Sequence, residues 1–107
     1  MPAFNTNLTP EQRKENLAKA VAARHARAGL LDEMRSGKKS FHEGLDAAKA
    51  DAVLARIRVY DLVRTQKGIG DRLGDRLMEE IGIAKNRRVG GLGSVQEEKL
   101  RAYFDAR

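Results

Sequence analysis

Apolar residues recur along the chain at helical spacing. Over residues 71–81, Leu73, Leu77, Met78 and Ile81 fall at i, i+4, i+5 and i+8 and share one face of a helix. No alternation of apolar and polar residues extends beyond four positions, so the strand pattern is missing. The spacing therefore predicts an all-α fold.

Capping signals predict where the helices begin and end. Thr9-Pro10-Glu11-Gln12 is typical of an N-cap, a proline at the first helical position and a capping box, followed by a helix to about Arg35. Ser40 and Glu43 form a second box, which predicts a helix to about Lys49. The remaining helices are predicted at Asp51–Arg56, about Tyr60–Gln66, about Asp71–Ile81 before Gly82, and from a third box at Ser94–Glu97 to about Phe104.

The length of 107 residues fits one domain, 1–107, of about five helices. Its longest element is the N-terminal basic helix over 9–35. The apolar positions of the later helices and loops should form the packed core. The predicted core residues are Leu62, Ile69, Leu73, Leu77, Met78, Ile81, Ile83, Leu92, Leu100 and Phe104.

Positive charge is concentrated in two stretches. The chain has 21 Lys and Arg against 15 Asp and Glu, for a net charge of +6. Residues 13–39 contain eight Lys and Arg but three acids, and Ile81–Gln96 contains Lys85, Arg87 and Arg88 with no acid. Such a distribution favours an acidic partner, such as a nucleic acid or an anionic membrane surface.

Composition also argues against a metal site, a cofactor and a membrane-spanning segment. The chain has no cysteine, and its two histidines, His25 and His42, are far apart, so neither a metal nor another cofactor is predicted. No apolar stretch approaches the ~18 residues of a membrane span. The N-terminus lacks the basic and apolar regions of a signal peptide, so the expected location is the cytoplasm.

The first helix carries arginines where a core face would be expected. One stripe contains Arg13, Leu17, Ala20, Arg24, Arg27, Leu31 and Arg35. Arginine is almost never fully buried without a partner, so only the end with Leu30, Leu31 and Met34 should dock. Two interpretations stay open for the rest of the helix: a solvated helix, or a second surface that contacts a polyanion. The residues of that possible surface are Arg13, Lys14, Arg24 and Arg27.

A glycine turn followed by an arginine-rich loop is the strongest functional signal. Gly68-Ile69-Gly70 connects two predicted helices, and its small residues leave backbone amides accessible. The following helix begins near Asp71, where the helix dipole favours a phosphate, although the Asp71 carboxylate would compete for the same amides. Arg87 and Arg88 offer planar donors to phosphates or base edges. Alone the turn is a weak signal; the acid-free loop strengthens it.

From Val59 to Phe104 the sequence resembles the actinobacterial integration host factor, a nucleoid-associated family with a helix–two-turns–helix motif. More loosely, Leu8-Thr9, Glu11–Arg13 and the Ala- and Arg-rich Ala22–Ala28 resemble its N-terminal half. The C-terminal resemblance rests on Leu62, Gly68-Ile69-Gly70, Met78, Glu80, Ile83-Ala84, Arg87-Arg88, Gly91-Leu92-Gly93, Gln96, Leu100 and Phe104.

The resemblance implies a monomer in the nucleoid that binds double-stranded DNA with little sequence preference, bends or compacts it, and supports phage integration beside a phage or host recombinase. The family's arginine cluster maps onto Arg87 and Arg88. Gly90 replaces a third arginine, and Lys67 replaces a proline of the turn. The predicted DNA-binding residues over 59–104 are Lys67, Gly68, Ile69, Gly70, Arg72, Lys85, Arg87 and Arg88.

Three other classes of protein are alternatives to a DNA-binding protein of this family. A ribosomal RNA-binding protein shares the motif, but only five aromatic residues are present for base stacking. Formamidopyrimidine glycosylases use a proline after the initiator Met, yet Ala3 follows Pro2 here in place of their glutamate, and zinc-finger cysteines are missing. The chain is therefore predicted not to be an enzyme. A helical adaptor that binds another protein is the third alternative.

Overall fold

The computed structural model describes residues 9–107 and is helical, as predicted. The predictions that involve Pro2, Ala3 and Leu8 lie outside these residues. Two short 3-10 turns, Leu54–Arg56 and Val89–Gly91, interrupt the series of α-helices. The α-helices are α1 (Pro10–Arg35), α2 (Phe41–Ala50), α3 (Val59–Val63), α4 (Asp71–Ile81) and α5 (Ser94–Asp105).

Both of the first two capping boxes are confirmed. The Gln12 N–H donates to Thr9 Oγ1 over 3.1 Å, and the Thr9 N–H donates to Gln12 Oε1 over 2.9 Å. At α2, Ser40 and Glu43 exchange the equivalent bonds at 3.1 and 2.8 Å. These reciprocal bonds satisfy amides that have no partner inside the helix, and so fix where each helix begins.

The third capping box is wrong in its register. Gly93, not Ser94, is the N-cap of α5, and Ser94 is the first helical residue. The Gly93 N–H donates to Gln96 Oε1 over 3.0 Å, while Gln96 Nε2 donates to the Gly82 carbonyl over 2.9 Å. One glutamine therefore begins α5 and ties it to the end of α4, a tertiary contact that the local pattern does not reveal.

Two predicted short helices are shorter in the structure. Instead of Tyr60–Gln66, α3 covers Val59–Val63, because the buried Thr65 hydroxyl donates to the Leu62 carbonyl over 2.6 Å and the chain then turns. Instead of Asp51–Arg56, the structure has a 3-10 turn at Leu54–Arg56, whose entry is capped by Asp51 Oδ1 accepting from the Val53 N–H over 2.8 Å.

The core lies between the C-terminal end of α1 and helices α2 to α5. Leu73 is only partly buried and does not join it, which corrects the prediction. Of the other predicted residues, Leu62, Ile69, Leu77, Met78, Ile83 and Leu100 are buried, and Ile81, Leu92 and Phe104 pack partly buried against the core. Seven further core residues are buried that the sequence pattern did not predict: Phe41, Leu45, Ala48, Ile57, Val59, Val63 and Val89.

Only the end of α1 packs on the rest of the molecule. Leu30 and Met34 are buried, and the Met34 side chain lies against Gly44 of α2 so closely that any Cβ there would overlap it. The preceding part of the helix is largely exposed, with Leu17 63% accessible. As a result α1 projects from the body, and the described structure including α1 has principal extents of 52 × 32 × 24 Å.

None of the helices between residues 9 and 107 combines the length and apolar character needed to cross a membrane. Within that same part of the chain, His, Asp and Glu side chains do not gather in threes as a metal site requires.

Candidate nucleic-acid interface

The loop that carries Arg87 and Arg88 is held to the body by a short antiparallel bridge. The Val59 N–H donates to the Arg87 carbonyl, and the Val89 N–H donates to the Ile57 carbonyl, each over 2.9 Å. Residues 58 and 88 are the directly opposed pair of this bridge. This geometry gives the loop a fixed orientation on the segment that precedes α3.

The bridge sorts its side chains between core and solvent. Ile57, Val59 and Val89 are buried, whereas their neighbours Arg58 and Arg88 are exposed. In a directly opposed pair without mutual hydrogen bonds, side chains project from the same face and lie close together. The structure therefore places two arginines side by side on its surface.

Each guanidinium of the loop is oriented by one backbone carbonyl. Arg88 Nη1 donates to the Arg56 carbonyl over 2.7 Å, and Arg87 Nη1 donates to the Gly91 carbonyl over 3.2 Å. A guanidinium has five N–H donors, so most of them stay available to a ligand. Such a side chain is a preorganised anion-binding group, because part of its conformational freedom is already lost.

The loop faces α1 across a shallow groove of about 650 Å³, which we call the basic groove. No acidic side chain lines it, and small residues such as Ala23 and Ala52 leave its floor open. Arg56 and Arg88 also line the adjoining cleft around Arg87, so the two depressions form one surface. The cations of the basic groove are Lys19, Arg24, Arg27, Arg56 and Arg88.

Ion pairing differs between this groove and other parts of the described chain. None of the five groove cations has a carboxylate within salt-bridge distance over residues 9–107. By contrast, Lys49 Nζ lies 2.8 Å from Glu97 Oε1, and Arg101 contacts both Glu97 and Asp46. Positive potential is thus neutralised around α5 and left uncompensated in the groove.

The turn between α3 and α4 supplies part of the predicted anion site. Gly68 adopts φ 85°, a left-handed conformation that favours glycine. The Ile69 amide donates to the Gln66 carbonyl over 3.1 Å and its side chain is buried, so both groups are engaged within the protein. Gly70 precedes α4 as its N-cap, without a side-chain cap, and space around its Cα is open.

Asp71 does not compete for the amides of this helix start. Its Oδ1 lies 2.5 Å from Arg64 Nη2, and no side chain caps α4. The first amides of α4 therefore lack a protein acceptor, which is the arrangement that binds a phosphate at a helix N-terminus. Lys67 and Arg72 flank this turn with exposed side chains, and the Lys67 carbonyl accepts from Arg107 Nη2 over 2.7 Å.

Lys85 has an acidic neighbour, unlike the two arginines that follow it. Its Nζ lies 2.9 Å from Asp75 Oδ1 and 4.8 Å from the Tyr60 ring centroid. The hydrogen bond from Lys85, with a second one from Tyr60, lowers the pKa of Asp75, and the same carboxylate raises the pKa of Lys85. Lys85 is therefore paired with a carboxylate within the protein, unlike Arg87 and Arg88 over residues 9–107.

The predicted second surface is divided between two places on α1. Arg24 and Arg27 line the basic groove, next to Arg56 and Arg88 of the other segments. Arg13 and Lys14 lie about three to four turns nearer the start of α1, exposed and outside the groove. The structure thus joins one half of this patch to the arginine loop and leaves the other half apart.

Comparisons with known proteins place the chain in a family. The model of the S13-like H2TH domain matches residues 34–104. The integration host factor of Streptomyces coelicolor is 37% identical over 97 residues, covering 91% of each chain. That of Mycolicibacterium smegmatis is 39% identical over 98 residues, covering 92% of this chain and 93% of the relative.

The chain belongs to the integration host factor family. A solved structure of sIHF bound to an 8bp palindromic DNA superposes with a TM-score of 0.77 at 33% identity, covering 81% of this chain and 98% of the other. The family resemblance in the sequence analysis is thereby confirmed, as is the helix–two-turns–helix fold.

Two cations of the basic groove in this integration host factor family member, Lys19 and Arg56, were not predicted, and neither was the neighbouring Arg58. The sequence contains only a weak indication of the two arginines, Arg56 and Arg58. Arg56-Ile57-Arg58-Val59 alternates exposed and buried residues over four positions, as an edge segment does. Residues 86–89 form the other side of the bridge, some 30 positions later, so local analysis could not pair the two.

Proposed function

We propose that this member of the integration host factor family binds double-stranded DNA as an architectural, nucleoid-associated protein of the cytoplasm, without catalytic activity. The observation that carries the proposal is the basic groove, whose five cations come from three segments and have no carboxylate partner over residues 9–107. One of these cations, Arg88, and the adjacent Arg87 are each oriented by a backbone carbonyl. A dense polyanion is the ligand that such a surface fits. The relative that superposes on this fold was solved with DNA, which favours DNA as that polyanion.

Phosphate contacts would supply most of the affinity. Arg87 and Arg88 each have unused guanidinium donors, and the open amides at Gly70 and the start of α4 add a second phosphate site. Lys67, Gly68 and Arg72 border that second site. Contacts with phosphates fix the position of a protein on the duplex and carry no base information, so sequence preference would be weak.

Helix α1 would extend the contact along the duplex. Arg24 and Arg27 lie across the groove from Arg88, so a DNA backbone held by the loop would also pass these two side chains. Arg13 and Lys14, further along the projecting helix, would reach a flanking stretch or a second duplex. Bending and compaction of DNA, and hence support of site-specific recombination with a recombinase, would follow from such simultaneous contacts.

Fluorescence anisotropy tests the proposal. A labelled mixed-sequence duplex of about 21 base pairs, two helical turns, is titrated at several salt concentrations beside a single-stranded RNA of equal length. We expect the duplex to be preferred and log affinity to fall with log salt by ~0.9 per phosphate contact. Preference for the RNA would replace the proposal with RNA binding. Binding to neither would leave a protein-binding adaptor.

A further inference from the structure

Three side chains from separate segments meet beside the arginine loop. Tyr60 of α3, Asp75 of α4 and Lys85 of the loop form one cluster, in which Lys85 Nζ contacts both the Asp75 carboxylate at 2.9 Å and the face of the Tyr60 ring at 4.8 Å. The neighbouring Asp75 carboxylate also raises the pKa of the Tyr60 hydroxyl. The cluster therefore connects both helices of the motif to the loop.

The position of Tyr60 in this cluster is tightly defined. A Cβ at Gly74 would lie 3.1 Å from Tyr60 Cε1 and 3.2 Å from Arg64 Cγ, so the absent side chain makes room for the ring against α4. The Arg64 guanidinium carbon is 4.9 Å from the ring centroid, and the same guanidinium pairs with Asp71. The ring is thus held by helix contact and by two cations.

This cluster fixes the start of the arginine loop. Lys85 lies two residues before Arg87, and the intervening turn is closed by the Arg87 N–H donating to the Ala84 carbonyl over 2.9 Å. The bridge to Ile57 and Val59 holds the other end of the same segment. Residues 85–89 are therefore anchored at both ends, with Arg87 and Arg88 between the anchors.

We propose that Asp75 and Lys85 are positioning residues for duplex binding: their ion pair holds the loop so that Arg87 and Arg88 face the DNA. This rests on the proposed function. It replaces the predicted role of Lys85 as a phosphate contact, because its charge is already matched by Asp75. The positioning role also accounts for the presence of the Asp75 carboxylate near Arg87 and Arg88, where an acidic group lowers the positive potential that attracts DNA.

The direction in which Asp75→Asn changes the affinity for duplex DNA distinguishes a positioning role from a simple effect of charge. Asp75→Asn removes a negative charge, so charge alone predicts tighter binding to DNA. Positioning predicts weaker binding, by about twofold to fivefold, the range of an exposed ion pair. The matched control is Glu79→Gln, which removes the same charge from an exposed residue of α4 that has no salt-bridge partner within residues 9–107. We expect the control to bind as tightly as the wild type or slightly tighter.

A second substitution tests which role Lys85 has. Lys85→Met should weaken binding while the salt slope changes far less than the ~0.9 expected for Arg88→Ala. In the Lys85→Met background, Asp75→Asn should no longer weaken binding, because the pair is already broken. A slope change equal to that of Arg88→Ala would instead make Lys85 a phosphate contact.

Anisotropy with the duplex described above measures all these variants, and thermal melting checks that each is folded. The positioning role is overturned if Asp75→Asn binds like Glu79→Gln. The proposed function fails separately, if the wild type itself does not bind duplex. If the wild type binds and Arg88→Ala weakens it while Asp75→Asn matches its control, only the positioning role is lost.

Discussion

Arg58 and Arg88 lie directly opposite each other in the antiparallel bridge, both exposed and neither within salt-bridge distance of a carboxylate among residues 9–107. Like charges directly opposed across a bridge destabilise it by about 0.2–1 kcal/mol. Such an arrangement costs stability in the free protein, and an anionic ligand would relieve it. The opposed arginines thus lower the stability of the free protein and favour the binding of an anion.

Arg58→Ala should accordingly move stability and binding in opposite directions. We expect a Tm equal to or slightly above that of the wild type, because the like-charge contact is removed. Duplex affinity should fall, with a salt slope shallower by about 0.9 if Arg58 contacts one phosphate. Calorimetry and anisotropy measure the two effects. Unchanged affinity and slope would remove Arg58 from the interface.

The two pairs of basic residues on α1, Arg24 with Arg27 and Arg13 with Lys14, should not be equivalent. Arg24→Ala/Arg27→Ala removes two groove cations and should clearly weaken duplex binding. Arg13→Ala/Lys14→Ala removes the same charge outside the groove, so its effect on a short duplex should be smaller. Force microscopy of long DNA then tests compaction with Arg13→Ala/Arg24→Ala/Arg27→Ala. Unchanged compaction in that variant would contradict a contribution of α1 to bending.

The two glycines of the turn should differ in what they support. Gly68→Ala forces a side chain into φ 85° and should destabilise the fold by about 1–2 kcal/mol. Gly70→Ala meets neither a positive φ nor a neighbouring atom, so its Tm should match the wild type. Its duplex affinity should nevertheless fall, because a methyl group obstructs phosphate approach to the α4 amides. Wild-type affinity for Gly70→Ala would place the phosphate elsewhere.

Acid should remove the stabilisation that Glu97 provides. The hydrogen bond from Lys49, with that from Arg101, holds the pKa of Glu97 below its usual range. A lowered folded-state pKa stabilises the fold above the usual value near pH 4 and loses that contribution as pH falls through the folded pKa. Glu97→Gln should therefore melt below the wild type at pH 7, with the difference closing towards pH 3. A constant difference would mean that the ion pairs are not its cause.

Local signals in the sequence were sufficient to place the starts of α1 and α2. The boxes at Thr9–Gln12 and Ser40–Glu43 involve residues three apart, so the pattern contains everything that the structure uses. The start of α5 was misplaced because the Gln96 side chain hydrogen-bonds both Gly93 and Gly82. Gly82 is 14 positions away in the sequence, so the local pattern does not reveal this contact.

The binding surface was less predictable for the same reason. Arg87 and Arg88 stand out in an acid-free loop, but their neighbours Arg56 and Arg58 come from a segment some 30 residues earlier. Nor does the sequence show that Lys85 has Asp75 as its partner while the arginines have none. Counting charge along a chain finds basic stretches; only the fold shows which cations are neutralised.

Arg87 and Arg88 are proposed to bind the phosphates of a DNA duplex. The most direct measurement compares Arg87→Ala/Arg88→Ala with Lys38→Ala/Lys99→Ala, which loses equal charge at exposed positions outside the basic groove, in duplex titrations across salt concentrations. The arginine variant should show a slope shallower by about 1.8 and much weaker binding, with the lysine variant close to the wild type. Equal losses in both variants would contradict a specific arginine site and leave only diffuse charge attraction.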